Sequence, residues 1–180
     1  MRRTIVVVAV MAVLTIMAAP ASAHKQEVSD ANDVSGKLDI KKATSIDRGS
    51  GPEEKFIFVV KTYGEWRKRH LAGGESNFRI QFRRGQESSY QIEITTDKSN
   101  NMNAILVLCI EAQGCDYDNG VPVPVRKRNA KVLTTRVRRE QVPGVGGSLK
   151  WRATSSYGPG CGNNCIFDAA PNFGLKFHNV

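Results

Sequence analysis

Asp30, Asp33 and Asp39 fall close together near the start of the chain, and Asp168 stands near its end, followed by Asn172. The ends of a domain usually lie near one another, so these oxygens are placed to share one cation. Donors that are all oxygen, with no sulfur or imidazole among them, suit a structural Ca²⁺, which takes six to eight such ligands. The same residues also read as a solvated acidic lead-in and an Asp/Asn turn. Asp116-Tyr117-Asp118-Asn119-Gly120 begins like an EF-hand loop, but its glycine comes one position early and the twelfth position is Lys127 instead of Glu. It reads as a turn.

Nucleophilic chemistry is hard to assemble. A serine or cysteine nucleophile needs a histidine base oriented by a third group, and the histidines are His24, His70 and His178. His70 lies in the basic run Arg67-Lys68-Arg69-His70, and the other two lie toward the ends of the chain. Gly144-Val145-Gly146-Gly147 leads into a strand and not a helix, so a dinucleotide site fails on context. A carboxylate pair for glycoside hydrolysis stays open. The expected class is therefore a non-catalytic domain, with an enzyme as the lesser alternative.

Flat rings pack on sugar faces, and Tyr63, Trp66 and Tyr157 are the candidate ligand-binding rings. Trp66 sits among charged residues at a strand end, whereas Trp151 lies mid-strand, where a sandwich core commonly holds a tryptophan. Basic runs recur at 67–70, at Arg83-Arg84, at Arg126-Lys127-Arg128 and at Arg136 with Arg138-Arg139. Three of the four fall at strand ends or turns, as one rim would require, but they read mostly as solvated charge. Aromatic interleaving of the kind that binds nucleic acid is poor, so no specific nucleic-acid partner is expected. The expected partner is a glycan or an anionic envelope polymer; the alternative is an interaction or structural role against an anionic surface or a protein.

The cysteines point to a compartment. Cys109, Cys115, Cys161 and Cys165 form an even set with short spacings, and no histidine stands near either pair to suggest zinc. Two disulfides are expected. Three pairings are open, and the two local ones, Cys109 with Cys115 and Cys161 with Cys165, are favoured by the turns between them.

Residues 1–23 give the reason to expect oxidation. Arg2 and Arg3 precede an apolar run, Ile5 to Met17, that ends in Ala21-Ser22-Ala23. That is the layout of a cleavable signal peptide. A membrane anchor, which needs roughly 20 apolar residues, is the weaker reading, because this run has only 13. No later segment is long and apolar enough to span. Of the 180 residues, 157 remain after cleavage, and without Arg2 and Arg3 the 24 basic and 17 acidic side chains leave +7. The product is expected to be secreted; its basicity reads first as ordinary colloidal charge and otherwise as an attraction to anionic polymers.

The elements that must position these residues are short strands. Residues 24–36 read as a polar lead-in and 37–180 as one domain. Lys55 to Tyr63 is dense in aromatic and β-branched residues, as in a central strand. Phe78, Ile80 and Phe82 alternate with polar residues, and so do Tyr90, Ile92 and Ile94, which predicts a hairpin. Ala104 to Ile110 is continuously apolar and expects cover on both faces. Pro122 and Pro124 confine Val121 to Arg126 to an edge strand or an extended arm. Lys131 to Arg139, Ser148 to Tyr157 with Trp151, and Phe173 to Phe177 complete about eight or nine strands. Glu65 to Leu71 reads as a helical turn. The fold class is all-β, an antiparallel, jelly-roll-like β-sandwich.

One order of motifs stands out: Asp33-Val-Ser-Gly-Lys-Leu-Asp-Ile40, then Val60-Lys-Thr-Tyr63 and Trp66, then Trp151 with Ser155-Ser156, then Cys161-x-x-x-Cys165 before Asp168 and Ala170-Pro171. In this the chain resembles a group of secreted actinobacterial proteins whose sandwich is similar to family 9 carbohydrate-binding and DOMON-like domains. The resemblance spans roughly Asp30 to His178 and implies a β-sandwich with a non-catalytic, glycan- or small-ligand-binding role. It supplies no binding residues, because Arg83-Arg84-Gly85 stands where an acidic turn would be expected. Some DOMON-like domains hold haem through Met and His; Met102 is the only methionine after the signal segment, so no haem is expected.

Overall fold

The structure is a computed structural model that describes residues 24–49, 51–72, 76–83, 88–145, 148–158, 166–171 and 176–179. Its strands are β1 (His24–Ser29), β2 (Ile40–Arg48), β3 (Lys55–Thr62), β4 (Asn77–Arg83), β5 (Ser88–Thr96), β6 (Met102–Ile110) and β7 (Gly114–Cys115). They continue as β8 (Val121–Pro122), β9 (Val125–Lys127), β10 (Val132–Arg138), β11 (Ser148–Tyr157), β12 (Ile166–Ala170) and β13 (Lys176–Asn179). Two antiparallel sheets face each other. One runs β1-β2-β3-β10-β9; the other runs β12-β11-β4-β5-β6-β7, with β13 also on β11 and β8 also on β6. The protein is an all-β sandwich.

Period-two alternation builds the core. Phe56, Phe58 and Val60 of β3 and Leu133 and Val137 of β10 point inward from one sheet. Phe78, Ile80 and Phe82 of β4, Ile92 and Ile94 of β5, and Trp151 of β11 meet them from the other. Phe58 stacks on Phe82 across the gap with centroids 5.4 Å apart and touches Trp151 at 5.9 Å. Each such ring taken out of water contributes about 1.5–3 kcal/mol. The β4–β5 hairpin forms as its alternation predicts, with Phe82 opposite Tyr90 and Phe78 opposite Ile94. Trp151 is a core residue, its indole N–H donating to Gln26 Oε1 at 3.1 Å.

Three expectations change. His24–Ser29 is an edge strand and not a lead-in: it pairs along its length with β2, Val28 packs on the core, and Glu27 bridges Lys42 at 2.6 Å. Its charged, nearly all-polar composition hid a strand whose pairing is supplied by β2. The count also rises from about eight or nine to thirteen among the described residues, because β7, β8 and β9 are two- and three-residue pairings that no local pattern marks. Finally, the proline segment divides. β8 joins β6, the chain crosses at buried Val123, and β9 edges the opposite sheet. Each proline still avoids a central strand, for want of an N–H to donate.

Cys109 and Cys115 stand opposite each other in the β6–β7 register and form a disulfide. Cys161, Cys165 and Asn172 lie outside the described residues, as does the segment 1–23. No helix among the described residues is long and apolar enough to cross a membrane.

Candidate functional site

The loop between β1 and β2 carries most of the chemistry. Asp30 follows β1, its N–H donating to the Lys41 carbonyl at 3.0 Å, and Asp33 lies in the loop itself. Asp39 ends the loop just before β2, and Asp168 reaches it from β12 of the other sheet. Carboxylate oxygens of Asp30, Asp33 and Asp168 lie within 4.8 Å of one another. Asp168 is anchored by its backbone neighbours: Oδ2 accepts the Ile40 N–H, and Oδ1 accepts the Ala169 N–H at 2.7 Å.

Asp39 is the telling member. Its side chain is 1% exposed, and neither carboxylate oxygen has a hydrogen-bond partner; Asp30 Oδ2 is in the same position. Burial first, then the charges of Asp168 and Asp33, lift the Asp39 carboxyl to about 6. Burial and Asp168 also raise Asp30, and burial raises Asp168. The strongest charged neighbours of these carboxyls are therefore one another. Buried carboxylates without partners cost several kcal/mol each, and like charges this close oppose ionisation. A hard divalent cation would offset both, and an all-oxygen donor set suits Ca²⁺. A histidine or cysteine donor, which zinc would favour, is not among the grouped side chains.

Two tyrosines hold this loop. Tyr63 Oη donates to the Asp30 carbonyl and Tyr157 Oη to the Ser35 carbonyl, both at 2.7 Å. Gly36 adopts φ +150°, and a Cβ there would lie 2.1 Å from Tyr157 Oη, so only glycine lets the ring seat. Gly64 meets the same loop from the end of β3, where a Cβ would come 3.1 Å from Lys37 Cα. Tyr63 and Tyr157, expected as ligand-binding rings, are half-buried with their hydroxyls committed to loop carbonyls.

Trp66 corrects its expectation outright. The indole is 1% exposed and packs edge-on against Phe78, centroids 5.4 Å apart, so it offers no open ring to a sugar. Its backbone N–H donates to the Ala130 carbonyl at 2.9 Å, drawing the segment inward while Glu65 and Arg67 stay exposed. The charged neighbours gave the wrong cue.

Beside the loop lies an open cavity of about 530 Å³ lined by Lys37, Glu65, Trp66, Arg67, Lys68, His70, Lys127 and Ala130. Two of the basic runs thus meet, as a rim requires. Arg136 and Arg138 do not join them; they line a separate cavity with Glu140 and Gln141. Lys37 was missed in the sequence, being a lone charge in a polar segment. No known protein-family model, curated protein or solved structure matches this chain.

Proposed function

We propose that this chain is an exported, non-catalytic binding domain for a glycan or envelope polymer, whose β1–β2 loop is built around a Ca²⁺-class cation at Asp30, Asp33, Asp39 and Asp168. One observation carries the cation: carboxylate oxygens of Asp30, Asp33 and Asp168 lie within 4.8 Å of one another, and the Asp39 carboxylate that ends the same loop is buried and unpartnered. Catalytic use of the cluster fits less well. A general acid must reach its substrate, and Asp39 and Asp168 are 1% and 4% exposed. The export signal rests on residues 1–23, and the ligand class on the basic charge and the motif order. The resemblance to family 9 carbohydrate-binding and DOMON-like domains belongs to this reading as well.

The test is to titrate the chelator-treated protein with Ca²⁺ and, separately, with Tb³⁺ under tyrosine excitation, since Tyr63 and Tyr157 border the site. Saturable tyrosine-sensitised Tb³⁺ emission that Ca²⁺ displaces, together with a higher melting temperature in Ca²⁺, is the expected result. A melting temperature indifferent to millimolar Ca²⁺, with no sensitised emission, would end the reading.

A further inference from the structure

The cavity beside the loop is short of negative charge. Lys37, Arg67, Lys68 and Lys127 line it against one carboxylate, Glu65. With His70 neutral, four positive charges and one negative leave the lining at +3. None of those four cations enters an ion pair among the described residues. They are held in place despite their repulsion. Lys127 Nζ donates to the Asn129 carbonyl and stands 4.7 Å above the Trp66 ring, a contact worth about 0.5–2 kcal/mol. The turn Lys68–Leu71 is closed by the Arg67 N–H donating to His70 Nδ1 at 3.1 Å. Lys37 is set by the packing of its backbone on Gly64. Trp66, which also lines the cavity, carries a buried indole N–H with no partner.

A surface that only needed solubility would spread such charges outward. Here residues from three separate segments converge on one concavity; burial holds Lys127 below its ordinary value, and burial with the charges of Lys37, Arg69 and Arg67 does the same for His70. We propose that this pocket binds an oxyanion of the phosphate or sulfate class, borne on a polymer chain or free in solution. Lysine and arginine side chains around a concavity are the groups that recognise such anions. The volume, many times the roughly 30 Å³ that one water occupies, leaves room for more than a single ion, and so for the unit that carries it.

Calorimetric titration of the purified protein in Ca²⁺ buffer decides it, with inorganic sulfate, a sulfated oligosaccharide and the same oligosaccharide unsulfated as probes. The expected result is binding of one or both sulfated probes, none of the unsulfated one, and weakening at high salt. Saturation by sulfate alone marks a small-ion site; saturation only by the oligosaccharide marks a polymer site; either upholds the proposal. Arg67→Gln, Lys68→Gln and Lys127→Gln should each weaken binding by about tenfold. The exposed Arg126→Gln and Lys98→Gln should change it by less than about twofold. Equal losses from all five would show that net charge alone attracts the probe, and would overturn the site. So would no heat with either sulfated probe. Arg67 is exposed, so its variant stays folded and decides the matter if Lys127→Gln does not.

Discussion

Asp168 accepts the backbone N–H of Ile40 through Oδ2, joining residues 128 positions apart and crossing from β12 of one sheet to β2 of the other. With the Ala169 N–H on Oδ1, two backbone donors favour its ionised form. Burial outweighs them, and the carboxyl still sits above its ordinary value. The same carboxylate lies with those of Asp30 and Asp33, all within 4.8 Å of one another. Sandwich closure and the acidic cluster are therefore one feature.

Asp39→Asn separates the cation reading from ordinary packing. In chelator it removes a buried, unpartnered charge, so the variant should melt a few degrees higher, about 1 kcal/mol in a domain of this size. In Ca²⁺ the order should reverse. Wild type gains about 2.7 kcal/mol at a hundred times Kd, and the variant gains little. Thermal scans with and without Ca²⁺ read the crossing directly; parallel gains in both proteins would refute it.

Tyr157 and Gly36 are predicted to act as one clasp. Tyr157→Phe removes the bond to the Ser35 carbonyl and should cost about 1 kcal/mol. Gly36→Ala should cost more, because its backbone lies at φ +150° and the new methyl meets the Tyr157 ring. In a double-mutant cycle by urea denaturation, the two losses should fall short of additive.

The pocket should respond to pH through His70. Burial, then Lys37, Arg69 and Arg67, hold its pKa below the ordinary 6.5. A base depressed in the fold contributes stability that is present above 6.5 and lost as pH falls through the depressed value. His70 Nδ1 accepts the Arg67 N–H, so its second proton displaces that bond at the turn; sulfate, which does not titrate in this range, should offset part of that loss by binding the added positive charge. Melting curves in the absence and presence of sulfate should therefore diverge below about pH 6.5. His70→Gln should hold them parallel.

Phe58 bridges the sheets through Phe82 and Trp151. Phe58→Ala should cost about 3–5 kcal/mol through lost burial and the cavity left behind. Chemical denaturation would show it as a lower midpoint with the slope kept.

The strands were legible because alternation is local. Phe78-Arg79-Ile80-Gln81-Phe82 declares its inner face by itself, since successive side chains leave a strand on opposite sides. The β6–β7 disulfide was legible for the same reason, two cysteines flanking a turn. The acidic residues were named from their types, and domain ends tend to meet; but only the β11–β12 pairing and the sandwich closure bring Asp168 to within 4.8 Å of Asp30 and Asp33. Trp66 was misread because its outward-looking neighbours are local, while the Ala130 carbonyl and the Phe78 ring that bury it are distant in sequence. Strand β1 was misread because its partner, not its composition, makes it a strand. Residue type and spacing settle what a segment does within a few positions. Which charges face each other, and which ring turns inward, depends on contacts between segments far apart in the chain, and those exist only once both sheets have closed.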